Sequence, residues 1–315
     1  MRTAGKVLTR PGDARRTARV LTATVVAQVT IVVTGGLVRI TGSGLGCPSW
    51  PACTPQSLGP THSGPAMWIE FSNRLVAAGV IVLCVASLIA VARRGDRFLT
   101  RWAAGQLTGV VAQAVIGGLA VIADLAPVLV ALHMFVSAFL IYAAVTIRLQ
   151  YAGPGPAPRV ERRVQRLTTA TCALGLVVVI AGTVVSASGP YAGDAASARL
   201  AVDWMLVTRL HALAATGLLA SLVATVWAAR RQTANRQTAS PPATTGALLT
   251  GIFGLLVMQL GVGEWQVRSG RPAIGVAVHL LLAATLLAGL SCLHRLVHLA
   301  RAGVPVHSQE GTEIP

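Results

Sequence analysis

The chain has 315 residues, 54% of them hydrophobic and only 11% charged, and its mean hydropathy is +0.67. That balance excludes an ordinary soluble domain. A net charge of +16 would suit a nucleic-acid binder, but the basic residues fall in short clusters between long apolar runs, and that pattern belongs to a membrane protein instead.

Eight apolar segments are predicted as helices, at 18–38, 68–92, 103–122, 127–147, 167–187, 204–228, 244–264 and 273–294. Each is near the ~20 residues that cross ~30 Å of hydrocarbon. A basic stretch before the first run resembles a secretory signal, but the run is too long and no small-residue cleavage site follows, so a retained first helix is expected. After it comes the loop T-G-G-L-V-R-I-T-G-S-G-L-G-C-P-S-W-P-A-C. Cys47 and Cys53 lie six apart there, with Pro48 and Pro51 bending the path. A reversible disulfide suits a chain segment outside the cytoplasm, and metal binding is disfavoured because no second ligand pair is near.

Helix two opens with Glu70, the one acidic residue near its start, and three positions on comes Asn73. That spacing puts both on one helix face. Glu70 reads either as an interfacial carboxylate or as a proton carrier. Arg74 follows Asn73, and Arg209 precedes His211 on helix six. Each arginine is suited to snorkel to the headgroups or to hold a porphyrin propionate in a bidentate fork. Helix four carries His133 and helix eight His279. Asn73, His133, His211 and His279 each sit five to seven positions into a helix entering from the same face, roughly 8–10 Å deep at 1.5 Å per residue. His62, His294, His298 and His307 are expected in solvent. Cys84, Cys172 and Cys292 read as small apolar fillers.

From Gln113 to Leu140 the chain repeats itself 146 residues later, so that Gln259, Gly263 and His279 answer Gln113, Gly117 and His133. In the preceding helices N-R-L-V-A-A-G (73–79) lies over H-A-L-A-A-T-G (211–217), with Asn in one copy where the other has His. The fold class expected is therefore an all-α integral membrane protein, its eight transmembrane helices forming two pseudo-symmetric four-helix bundles. The halves are 1–150 and 167–300, joined by a linker at 151–166 and followed by a tail at 301–315. Gln232 to Thr245 and the tail read as mobile. Of the 26 Lys and Arg, 20 flank one set of helix ends, which puts both termini in the cytoplasm and the loops 39–67, 123–126, 188–203 and 265–272 outside.

A single membrane histidine is as readily a helix-to-helix hydrogen-bond partner as a ligand. Two at equal depth on helices six and eight suit opposite sides of one iron, whereas His133 faces Asn73 and leaves its site open. Glycines at 35, 36, 79, 117, 118, 182, 217, 261 and 263 fit either close helix packing or a flat ring.

The loop G-G-L-V-R-I-T-G-S-G-L-G-C-P-S-W-P-A-C, the segment I-E-F-S-N-R-L at 69–75 and the three histidines resemble the haem A synthase family over nearly the whole chain. The resemblance implies haem b between His211 and His279 in the second half. It implies haem O as substrate in the first half, its C8 methyl oxidised to a formyl group by successive hydroxylations, with His133 on the substrate iron. Glu70 matches the family's essential glutamate, and Cys47 with Cys53 its loop cysteine pair. An upstream haem O synthase (a farnesyltransferase), an unnamed electron donor and membrane lipid are the implied partners, with a homo-oligomer left open. Two departures stand out: Asn73 replaces a family histidine, and the loop between helices five and six lacks the second cysteine pair of some members. The alternatives are a dihaem electron carrier, which would place its haems at different depths, and a repeat-built transporter, which would show broken midplane helices.

Overall fold

A computed structural model describes residues 11–61, 64–153, 160–235 and 243–299. Its elements are α1 (Pro11–Ile40), α2 (Pro65–Ala92), α3 (Arg97–Ile122), α4 (Pro127–Ala152), α5 (Arg162–Ser188), α6 (Trp204–Asn235), α7 (Ala243–Arg268) and α8 (Ala273–Leu299). All eight are long and apolar enough to cross a membrane, and the protein is a multi-pass membrane protein. Lipid offers no partner for a backbone N–H or C=O, so helices that bond every group internally are what such runs must become.

The helices overrun the apolar runs, mostly at the basic ends. There α4 continues to Ala152 and α5 begins at Arg162, which shortens the linker expected at 151–166, while α6 continues to Asn235 and α7 starts at Ala243. The mobile segment expected from Gln232 to Thr245 is thus helical at both ends. Polar residues beyond the hydrocarbon keep the helical bonding, and Arg231 stacks on Trp227, its guanidinium carbon 3.7 Å from the ring centre. The expectations for His62, His307 and the tail 301–315 fall outside the described residues.

Within the first half α1 packs on α2, α2 on α3, α3 on α4 and α1 on α4. The second half pairs α5 with α6, α6 with α7, α7 with α8 and α5 with α8 in the same pattern. Between the halves the contacts are α4 with α8, α1 with α8 and α4 with α5. Exchanging the halves turns α1·α8 into α5·α4 and leaves α4·α8 unchanged, which is the signature of a two-fold interface. The repeat also fixes the turns. Asp124 and Leu125 take φ of 49° and 61°, Gly270 and Arg271 take 72° and 63°, and Leu125 N and Arg271 N each donate back to a carbonyl five residues earlier at 2.7 Å.

The seam between halves corrects one expectation. His294 and His298 are half-buried rather than solvated: His294 Nδ1 lies 3.1 Å from the Tyr142 hydroxyl of α4, and His298 Nε2 lies 3.2 Å from Thr169 Oγ1 of α5. The basic end of α8 is covered by two neighbouring helices, so the polar tips find protein partners instead of water. Cys84 is buried against Val80, Val110 and Leu140, as an apolar filler should be.

Candidate functional site

Each half builds its special pair on the helices that enter from the disulfide side. In the second half the rings of His211 on α6 and His279 on α8 lie with centroids 6.3 Å apart and planes at 62°. His211 Nδ1 donates to the carbonyl of Val178 on α5 at 3.1 Å, which leaves Nε2 with its lone pair free. One turn along α5, Gly182 makes room for this ring: a Cβ there would stand 3.0 Å from His211 Cε1. His279 is held through its backbone, because Gln259 Nε2 donates to its carbonyl at 3.0 Å. Among the described residues its ring makes no hydrogen bond, and its Nδ1 is shielded from solvent.

A helix-to-helix hydrogen bond therefore does not account for His279. The spacing is compatible with ligation of one metal: a metal–imidazole bond of ~2.0 Å plus about 1.1 Å from nitrogen to ring centre, doubled, gives roughly 6 Å between centroids. Two neutral imidazoles are a donor set that suits the axial positions of an iron porphyrin. No cluster of three or more His, Cys, Asp or Glu stands together among the described residues.

The first half repeats the support and changes one of the two residues. Gln113 Nε2 donates to the His133 carbonyl at 2.8 Å, as Gln259 does to His279. It also reaches Ser137 Oγ at 2.6 Å. Gly117 lies against the His133 ring as Gly263 lies against His279, with the same 3.4 Å from a virtual Cβ to Cε1. His133 Nδ1, too, is shielded and without a partner among the described residues. Facing it in the repeat is Asn73, whose Oδ1 accepts from Thr34 of α1 at 2.8 Å.

Glu70 and Arg74 turn to the loop. Cys47 and Cys53 form a disulfide, and both are fully buried. Glu70 is 5% exposed. Its Oε2 accepts from the Cys47 backbone N–H at 2.7 Å, and its Oε1 accepts from Arg74 at 2.6 Å. Arg74 then donates to the carbonyls of Ser49, Pro51 and Ala52 at 3.1–3.2 Å. The guanidinium thus fills the ring that the disulfide closes. Trp50, at the loop's tip, lies on Gly118 of α3, where a Cβ would come within 2.4 Å of the indole. Since Gly117 beside it faces His133, the loop roofs the first site. No hydrogen bond joins Glu70 to Asn73 among the described residues. Arg209 is exposed, and two residues from His211 it lies on a different side of α6.

Sequence reading overlooked Arg39. Its signal was present: it is a lone cation at the end of a helix that is otherwise apolar around it.

The sequence model of the cytochrome oxidase assembly protein family, COX15-CtaA, matches residues 18–291. Two curated relatives named Heme A synthase are also similar. That of Geobacillus kaustophilus (strain HTA426) is 37% identical over 129 residues, 40% of this chain and 40% of the relative. That of Geobacillus thermodenitrificans is 38% identical over 63 residues, 20% of this chain and 19% of the relative. The matches thus span two fifths or less of these relatives' length.

Proposed function

The chain belongs to the cytochrome oxidase assembly protein family, COX15-CtaA, and from that membership we propose that it is a haem A synthase, oxidising the C8 methyl of haem O to a formyl group. The observation that carries the reading is the His211–His279 pair, with centroids 6.3 Å apart and no hydrogen bond on the His279 ring among the described residues. These two would hold haem b, and bound there it supplies one-electron transfer to the neighbouring half. His133 anchors the iron of the substrate, haem O, and Asn73 leaves the opposite face without an imidazole. Two hydroxylations of the same methyl give a geminal diol, and loss of water leaves the aldehyde. The oxidant and the electron donor come from outside the chain.

This chain's own residues orient and exclude. The Gln113 and Gln259 amides fix the backbone carrying each histidine, and the Val178 carbonyl sets the His211 tautomer. The disulfide loop, pinned by Arg74 and capped by Trp50, keeps water from the substrate site. Glu70 holds or moves a proton at Oε1 or Oε2 beside that roof. The cysteine pair takes part in redox or substrate handover. In the cell membrane the reading puts the basic side and both termini in the cytoplasm and the disulfide side outside, supported by the clustering of arginines at one set of helix ends. The partners are those of such an enzyme: a haem O-producing farnesyltransferase upstream, and membrane lipid around the bundle.

Glu70→Gln tests the carboxylate. Glutamine still accepts from the Cys47 N–H but carries no charge for Arg74 and no titrating proton. Product formation should fall by about 10²-fold or more, with haem b content unchanged. Full activity in this variant would contradict proton handling by Glu70 and reduce it to an anchor for the loop.

A further inference from the structure

Helix α1 belongs to the first half by sequence yet packs on α8 of the second. Its Gly36 admits Leu280, the neighbour of His279, so closely that any Cβ at 36 would collide with that side chain. One turn further toward the disulfide side stands Arg39. Its Nη2 reaches across the seam to the carbonyl of Ser186 on α5 at 3.5 Å, the long limit of a hydrogen bond. Ser186 lies one turn, ~6 Å, beyond Gly182, and Gly182 touches the His211 ring. The guanidinium is thereby delivered from the first half to the outer edge of the His211–His279 pair.

What it finds there is too little for a half-buried charge whose Nε is wholly shielded. Nε is shielded from solvent without a partner, and the two ion pairs among the described residues, Glu70–Arg74 and Glu264–Arg268, do not include it. The acids on this side are otherwise engaged or exposed: Asp194 and Asp203 accept from backbone amides at 2.8 Å, and Asp124 lies in solvent. A guanidinium does not give up its proton, so even partial burial without an anion is costly, and an anion from outside the chain would offset that cost. Helix α5, the counterpart of α1 in the second half, carries no Lys or Arg after Arg166, so the cation has no match in the other copy and stands only where the first half meets the second.

We propose that Arg39 binds a propionate carboxylate of the porphyrin held by His211 and His279, so that the second half's haem site is completed by a residue of the first half. The inference rests on the reading of those two histidines as ligands of one haem. Arg39 is a positioning residue: it would orient the ring held by the two histidines through a two-point fork onto one carboxylate. It also ties that edge of the ring to the loop, because Thr41 to Cys47 follow directly, and Gly44 N donates to Gly193 O across the seam at 2.9 Å. A haem in the second half would then favour the docked halves and an ordered roof over the first site.

The test uses the full chain, purified in detergent from haem-limited cells and titrated with ferric protohaem or with its dimethyl ester, which has the same ring and iron but no carboxylate. Binding is read from the bis-imidazole spectrum. The wild-type chain should take the free acid about tenfold more tightly than the ester. Arg39→Gln should lose roughly that factor for the free acid and nothing for the ester, and Arg39→Lys should recover part of it. Ester binding reports that the variant is folded. Equal affinity for both ligands in the wild type, or the same ratio in wild type and Arg39→Gln, would overturn the role of Arg39; the latter result is expected if the guanidinium holds a lipid phosphate. A wild-type chain that gives no bis-imidazole spectrum with either ligand would overturn the ligand pair itself, and this inference with it.

Discussion

At the scale of single residues the two halves share one way of holding a histidine and differ at the position that answers it in the repeat. Each half holds one histidine by the same device, a glutamine amide on its backbone carbonyl and a glycine against its ring. They part at the facing position, where His211 bonds to Val178 and Asn73 accepts from Thr34. On the proposed reading, Asn73→His should restore a second imidazole opposite His133 and raise the low-spin bis-imidazole signal per chain from one haem toward two when porphyrin is abundant. Absorption and electron paramagnetic resonance against protein concentration check this, and a signal that stays at one haem would contradict the facing geometry. The histidines and Asn73 were legible in the sequence because a duplication compares each residue with its own copy. Arg39 showed only as a lone cation, and a charge at a helix end is ordinarily interfacial; the packing of α1 across the seam is what takes part of it out of water. Nor was the partnership of Arg74, whose three carbonyl acceptors exist only once the loop has closed around it.

Among the elements, the loop after α1 carries most of the asymmetry. Its cysteines, glycines and prolines announced a bent, bridged segment, and the disulfide is there. What spacing alone did not show is how well it is covered: both cysteines are fully buried, so exchange with a thiol must wait for the loop to lift. Gly118 is the latch, because Trp50 rests on it. Gly118→Ala should displace the indole, cost ~1–3 kcal/mol of overpacking and speed reduction of Cys47–Cys53 by roughly threefold or more. Alkylation and mass measurement after timed exposure to mild reductant would follow this, and an unchanged reduction rate would show that Trp50 does not guard the bridge. Helix ends were the least legible feature. Hydropathy marks where hydrocarbon ends, whereas the backbone goes on bonding through arginine, glutamine and alanine until a proline or glycine stops it.

For the molecule as a whole, the two-fold exchange of contacts explains why a duplicated chain makes one body rather than two tethered ones. The self-matched pair α4·α8 lies on the axis, and the two cross-pairs flank it. The order of helices and their grouping into halves followed from hydropathy and the repeat. The docking of the halves did not, because contacts across a seam leave no periodicity in the chain. On the proposed reading this arrangement sets a fixed electron-carrying haem beside a substrate site that differs from it by one ligand, both at similar depth beneath one roofed face. The most direct measurement purifies the full chain from cells that make haem O, extracts its porphyrins in acid and separates them by liquid chromatography with mass detection. Haem b together with haem O, its hydroxylated form or haem A is the predicted result. Haem b alone, in cells shown to contain haem O, would contradict haem A synthesis and leave a carrier that passes electrons without altering a porphyrin.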